Sequence, residues 1–170
     1  MSSLEHPAVA KVAAALAEAG QHGAAEGIRV LPAEVRTAAQ AAEALGVPVG
    51  AIANSLIFRL GSDKNALLAL TSGAHRADPA TLEQLAGGEI GKADADFVRA
   101  HTGQPIGGVA PAGHPSPLPT LVDTALREHA VVWAAAGHPK TVYPTTFADL
   151  VALTGGTPGA LGGPEEDGQP

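Results

Sequence analysis

The chain has 170 residues, 45% of them apolar, with a formal net charge of −7. That length suits one domain, with or without a tail, whose core buries roughly 70% of the unfolded surface without added staples. The absence of cysteine excludes disulfides, thiolate zinc sites and a cysteine nucleophile, and the acidic balance excludes a protein that coats long nucleic acid, which needs clustered Lys and Arg.

Pro7–Ala19 reads as a helix: Pro7 suits its first turn, Val9, Val12 and Leu16 form one stripe, and Gly20 stops it. Ile28–Leu31 is short, β-branched and closed by Pro32, which predicts a strand. Thr37 is placed to cap a helix over Ala38–Leu45, ended by Gly46. Val49–Ala53 fits neither period cleanly. Ser55–Leu60 reads as a strand, Gly61–Asn65 as a turn and Ala66–Thr71 as its hairpin partner. Pro79–Leu85 is a short helix, and Asp94 caps another through His101. Ile106–Val109, Val131–Ala135 and Thr141–Tyr143 are strand-like, and Thr145 or Thr146 caps a last helix through Leu153. Strands and helices mix without strict alternation, which predicts an α+β fold with a mixed or largely antiparallel sheet.

From Gly155 the sequence is Gly/Pro-rich and acidic, so residues 155–170 are expected to form a flexible tail behind a 1–154 domain. Three negative charges, Glu165, Glu166 and Asp167, lie in that tail and leave −4 for the body. Such mild acidity is compatible with gripping only the end of an RNA through a few cations, for which Arg59, Arg76, Lys92 and Lys140 are candidates. Glu5, Lys11 and Glu18 interrupt the apolar N-terminus, which lacks the order of a signal peptide, and no run approaches a membrane span of about 18 residues. The expected location is cytoplasmic, with no membrane and no DNA partner.

No nucleophile elbow, Walker lysine loop, zincin helix or dinucleotide fingerprint is present. The seven histidines contain no i, i+2 or i, i+4 pair, so neither a metal nor another cofactor is expected. The most unusual stretch is Pro105–Pro119 (PIGGVAPAGHPSPLP). Gly107 and Gly108 strip the backbone of side chains so that amides can approach a ligand, and Pro111 fixes the turn. Such a loop either presents amides to a carbonyl or developing oxyanion, or stiffly connects two strands.

The run Gly107–His114 resembles the glycine-to-proline loop of the YbaK/ProX family of aminoacyl-tRNA editing domains, relatives of the insertion domain of prolyl-tRNA synthetase. Thr37–Gly46 resembles that family's capped helix and Ile52–Arg59 its next strand, and Leu70–Gly73 and Ala134–Gly137 follow in the same order. The resemblance implies a single α+β domain with a mixed, largely antiparallel, barrel-like sheet surrounded by helices. It implies hydrolysis of the ester that joins a wrong, small amino acid to the 3′-terminal adenosine of a tRNA, without metal or covalent nucleophile. The partner is then the aminoacyl-tRNA acceptor end, with an aminoacyl-tRNA synthetase as a second.

Carried onto this chain, the resemblance makes Gly107, with Gly108, the backbone element that orients substrate or attacking water. Asn54 fills the slot where the family usually has lysine, so a neutral amide replaces a full positive charge. It can hydrogen-bond a carbonyl, a ribose hydroxyl or water, or only satisfy nearby backbone. That departure carries an alternative: a weakened member that still binds an aminoacyl-adenosine or tRNA end. Ser55, Thr71, Ser72, Val109, Pro111, His114 and His138 complete the expected substrate-binding set.

Overall fold

The computed structural model describes residues 6–35, 37–105 and 108–162. In chain order the helices are α1 (Pro7–Glu18), α2 (His22–Glu26), α3 (Ala38–Leu45), α4 (Pro79–Ala86), α5 (Ala95–Thr102) and α6 (Phe147–Thr154). The strands are β1 (Arg29–Val30), β2 (Ile52–Leu60), β3 (Ser62–Ser72), β4 (Ile90–Lys92), β5 (Thr120–Asp123), β6 (Val132–Ala135), β7 (Thr141–Thr145) and β8 (Thr157–Gly159). Short 3-10 turns occupy Val49–Ala51 and Thr124–Glu128.

The helices begin where short polar side chains can take up orphan amides. Thr37 Oγ1 accepts from Gln40 N–H, Asp94 from Phe97 N–H and Thr146 from Asp149 N–H, while Gly46, Gly103 and Gly155 end their helices in the left-handed region.

The strands form one α+β sheet in the order β1-β7-β6-β2-β3-β5-β8, with β4 added beside β2. It is mixed: β2 runs antiparallel to β3 and β4, as β7 does to β1 and β6. The pairs β2–β6, β3–β5 and β5–β8 are parallel. The path is open, from β1 to β8.

Side chains alternate across the sheet with the period of two that a pleat imposes. Ala53, Leu68, Leu70, Val122, Val132, Ala134 and Tyr143 face one side, against Val12 and Leu16 of α1 and Leu150 of α6. The other side holds Ile52 and Trp133 against Ala41 and Ala42 of α3, and Leu67, Ala69 and Leu121 against Leu82 of α4. Each fully buried aliphatic here contributes about 1.5–3 kcal/mol.

Several expectations needed correction. The hairpin turn is Gly61 alone (φ 74°), because β3 runs from Ser62, and β2 starts three residues earlier than expected at its other end. The described part of the Ile106–Val109 segment is not a strand. Residues 155–162 are not a tail: β8 pairs with β5, Asp78 N–H donates to Leu161 C=O at 2.8 Å, and Leu161 is fully buried. One leucine and a strand-edge backbone supply the burial that composition alone could not reveal. The rest of the expected tail, from Gly163, lies outside the described residues.

Candidate functional site

Strand β2 pairs with β6 over only two residues, Ile52↔Trp133 and Ala53↔Ala134, before the strands part. A cavity of about 90 Å³ opens where they do. Its walls come from Ile52–Ser55 of β2, Trp133–Ala135 of β6, the approach to α3 at Val35 and Thr37, and from Val109, His138 and Pro139. Three segments far apart in sequence thus meet at one strand divergence.

Asn54 is exposed and stands opposite Thr71 in the β2–β3 register. Ser55 lies on the cavity wall, and its hydroxyl is buried without a hydrogen-bond partner. A buried hydroxyl left unpaired costs roughly 1–3 kcal/mol; Gln21, Thr71, Tyr143 and Thr145 also bury an unpaired polar atom, but of these residues only Ser55 lines this cavity.

Backbone contacts fix the glycine loop. Gly108 N–H donates to Pro105 C=O at 3.1 Å, and Gly108 C=O accepts from Gly137 N–H at 2.9 Å. A Cβ on Gly108 would stand 2.7 Å from the His138 carbonyl carbon, so only glycine permits this approach. Gln104, 1% exposed, clamps the loop from inside: its Oε1 accepts from Ala110 N–H at 2.7 Å and its Nε2–H donates to Ala112 C=O at 3.0 Å. His114 Nε2–H donates to Ala110 C=O at 2.8 Å, and burial pushes its ring below the ordinary value of 6.5. Val109, between these anchors, is turned to the cavity, and its amide makes no hydrogen bond among the described residues.

His138 sits in the turn after β6. Its Nδ1 accepts from Lys140 N–H at 3.0 Å, so the neutral ring carries its proton on Nε2. Burial lowers its pKa first and the neighbouring His6 and Lys140 lower it further, against an opposing pull from Glu34. A neutral ring with Nδ1 occupied is a hydrogen-bond donor, not a base. Among the described residues no three His, Asp or Glu side chains converge as metal ligands. The cavity can therefore hold a polar carbonyl compound through a hydroxyl, an imidazole N–H and backbone.

Of the residues expected from sequence, Asn54, Ser55, Val109 and His138 share this cavity, and Gly108 packs directly behind it. Gly107 lies outside the described residues. Pro111 and His114 line a separate cavity of about 210 Å³ on the far side of the loop. Thr71 and Ser72 are buried and line neither. The Ser72 hydroxyl instead donates to Gly50 C=O and accepts from Ala74 N–H, closing the turn after β3.

Sequence reasoning missed Gln104, Trp133 and Thr37 as parts of the site. Gln104 had one signal, a lone amide between a helix-ending glycine and the proline that opens the loop. Trp133 had another, as the single tryptophan of a chain poor in aromatics; it is 9% exposed, with Arg29 4.9 Å from the ring centre.

A family model described as the aminoacyl-tRNA editing domain matches residues 32–153 of this chain. An uncharacterised protein of Bacillus subtilis (strain 168), YwhH, is 31% identical over 114 residues, which is 67% of this chain and 72% of that protein. Among solved structures, a proposed trans-editing enzyme for prolyl tRNA synthetase superposes with a TM-score of 0.84 at 39% identity, covering 92% of this chain and 98% of that one. A scaffold from a study of epitope backbone grafting by computational design gives 0.83 at 38% identity, covering 92% and 97%.

Proposed function

The chain belongs to the aminoacyl-tRNA editing domain family, and from that premise we propose that it is a trans-editing deacylase for tRNA mischarged with a small amino acid. The observation that carries this reading is the cavity beside Ser55, Val109 and His138, with a buried hydroxyl that has no partner inside the protein. About 90 Å³ is roughly six to nine times the space that holds one water. We infer a pocket that favours a small aminoacyl group with an attacking water over a larger one. Such a sieve suits a second check, because one methylene changes synthetase binding by only about 1–3 kcal/mol.

In this reading water oxygen bonds to the ester carbonyl carbon and the carbon–oxygen bond to the terminal ribose breaks. The proton lost by water ends on the departing ribose oxygen. Donors at the loop, namely the Gly107 backbone and the Val109 amide that Gly108 holds in place, and the Ser55 hydroxyl stabilise the charge that develops on the carbonyl oxygen. No protein group forms a covalent bond, and neither metal nor cofactor takes part. The partner is the acceptor end with its 3′-terminal adenosine, with an aminoacyl-tRNA synthetase as the source of the mischarged product, in the cytoplasm.

A second reading rests on Asn54, exposed and neutral at the cavity: a binding module for the tRNA end that has lost its catalytic cation. One assay separates the two. Purified protein is incubated with alanyl-, cysteinyl- and seryl-tRNA, alongside Asn54→Lys and Ser55→Ala. The deacylase reading expects release well above buffer for at least one substrate and a loss of about tenfold or more in Ser55→Ala. No release by the parent chain would sink it, and activity appearing only in Asn54→Lys would establish the binding module.

A further inference from the structure

Helix α1 lies before the stretch matched by the family model, yet it touches both segments that shape the cavity. Gly137 (φ 106°) packs on it so closely that a Cβ would be 3.1 Å from the Ala8 carbonyl carbon and oxygen. Gly113 (φ 86°), in the glycine loop, would place a Cβ 3.2 Å from Val12 N. The helix is anchored in turn by Val9, Val12 and Leu16, all buried.

At its N-terminus His6 does two things with one ring. Its Nδ1 accepts from Ala8 N–H at 3.1 Å and so caps the helix. Its ring meets that of His138 edge to face, with centroids 5.3 Å apart and planes at 63°. His138 is then held twice, at Nδ1 by Lys140 N–H and across its ring by His6, which leaves Nε2–H as its remaining polar atom. The charged and titratable neighbours of His138 are His6, Glu34 and Lys140.

We propose that His6 is a positioning residue for this site, holding the His138 ring so that its Nε2–H is fixed as the donor offered to whatever fills the cavity. The activity arm of its test rests on the deacylase reading; the structural arm does not.

Two substitutions divide the roles of His6. His6→Asn keeps a capping oxygen and removes the ring. It is expected to melt within about 3 °C of the parent, because only one ring contact is lost, and to lose about fivefold in deacylation kcat. His6→Phe keeps the ring and removes the cap. It is expected to melt about 3 °C lower and to retain more of the parent kcat than His6→Asn does. The His138 ring resonances, followed by NMR through a pH titration, are expected to titrate at higher pH in His6→Asn, because both packing and the His6 charge are gone. On a His138→Ala background, His6→Asn should add no further loss. Unchanged kcat and His138 titration in His6→Asn, or losses that add on the His138→Ala background, would overturn the proposal. If the parent chain releases no amino acid from any tRNA, the deacylase reading fails by itself. The orientation of the His138 ring then decides: ring-to-backbone NOEs present in the parent and lost in His6→Asn support the positioning role, and unchanged NOEs remove it.

Discussion

Two polar corners of this molecule, both built at strand ends, treat their hydrogen-bonding groups in opposite ways. At the ends of β3 and β5 the Asp123 carboxylate is fully buried and completely used. Its Oδ2 accepts from Ser72 N–H at 2.9 Å and from His75 Nε2–H at 2.7 Å, and its Oδ1 from Ala125 N–H at 3.1 Å. The C-terminal segment closes over it, with Gly162 packed where a Cβ would be 2.9 Å from the His75 ring. At the divergence of β2 and β6, by contrast, the Ser55 hydroxyl is buried and unpaired, and Asn54 stands exposed. Polar groups that satisfy one another hold a fold together; polar groups left unpaired on a cavity wall are available to a ligand.

The sharpest way to test that division is to empty the satisfied corner. Asp123→Ala leaves two backbone amides and an imidazole without their acceptor, each orphaned donor costing about 1–3 kcal/mol. His75 is partly exposed and recovers water, so the expected loss is about 3 kcal/mol. It would be read as a lower urea midpoint with an unchanged m-value. A loss below about 1 kcal/mol would mean that the corner is held by packing and the carboxylate is incidental.

A smaller effect is expected where a satisfied group supports the unsatisfied site. Gln104→Leu preserves most of the volume but abandons Ala110 N–H and Ala112 C=O inside the protein. The expected cost is about 2 kcal/mol, with faster hydrogen exchange at the Ala110 amide than at amides of β3. Slowed exchange at Ala110, or no change, would show that the loop owes its shape to Gly108 and Pro111 alone.

How far the sequence anticipated these two corners follows from the range of the forces involved. Helix starts at Thr37, Asp94 and Thr146 were readable because a cap acts across three residues. The long hairpin strands were readable because their own composition carries the pattern. Strands β4, β5 and β8 were not, since three or four residues become a strand through the partner they pair with, and the partner is remote. The same limit governs the site. Asn54, Ser55, Val109 and His138 stood out through a family pattern, and nothing local says that they meet. Ser72 sits in the same motif-bearing segment as the expected set but is committed to the Asp123 corner, a long-range bond across 51 residues. His6 and Gln104 serve the cavity from outside any motif.

The least of the expected effects concerns acid, and it falls on the loop. His114 is pushed below its ordinary value of 6.5 by burial, which outweighs the opposing bond to Ala110 C=O. Below about pH 6.5 the unfolded chain takes up a proton there that the folded chain resists. The stability contributed by the neutral ring is therefore complete above that pH and lost on acidification, down to the folded pKa. His114→Gln retains an N–H donor for Ala110 C=O and cannot titrate. Between about pH 7 and about pH 5 the parent chain is expected to lose more stability than His114→Gln, measured as the difference in urea midpoints. Parallel curves would mean that the His114 ring opens to solvent before it protonates. The loop would then be less firmly closed than its Gln104 clamp implies, and the cavity it borders correspondingly easier for a bulky aminoacyl group to enter.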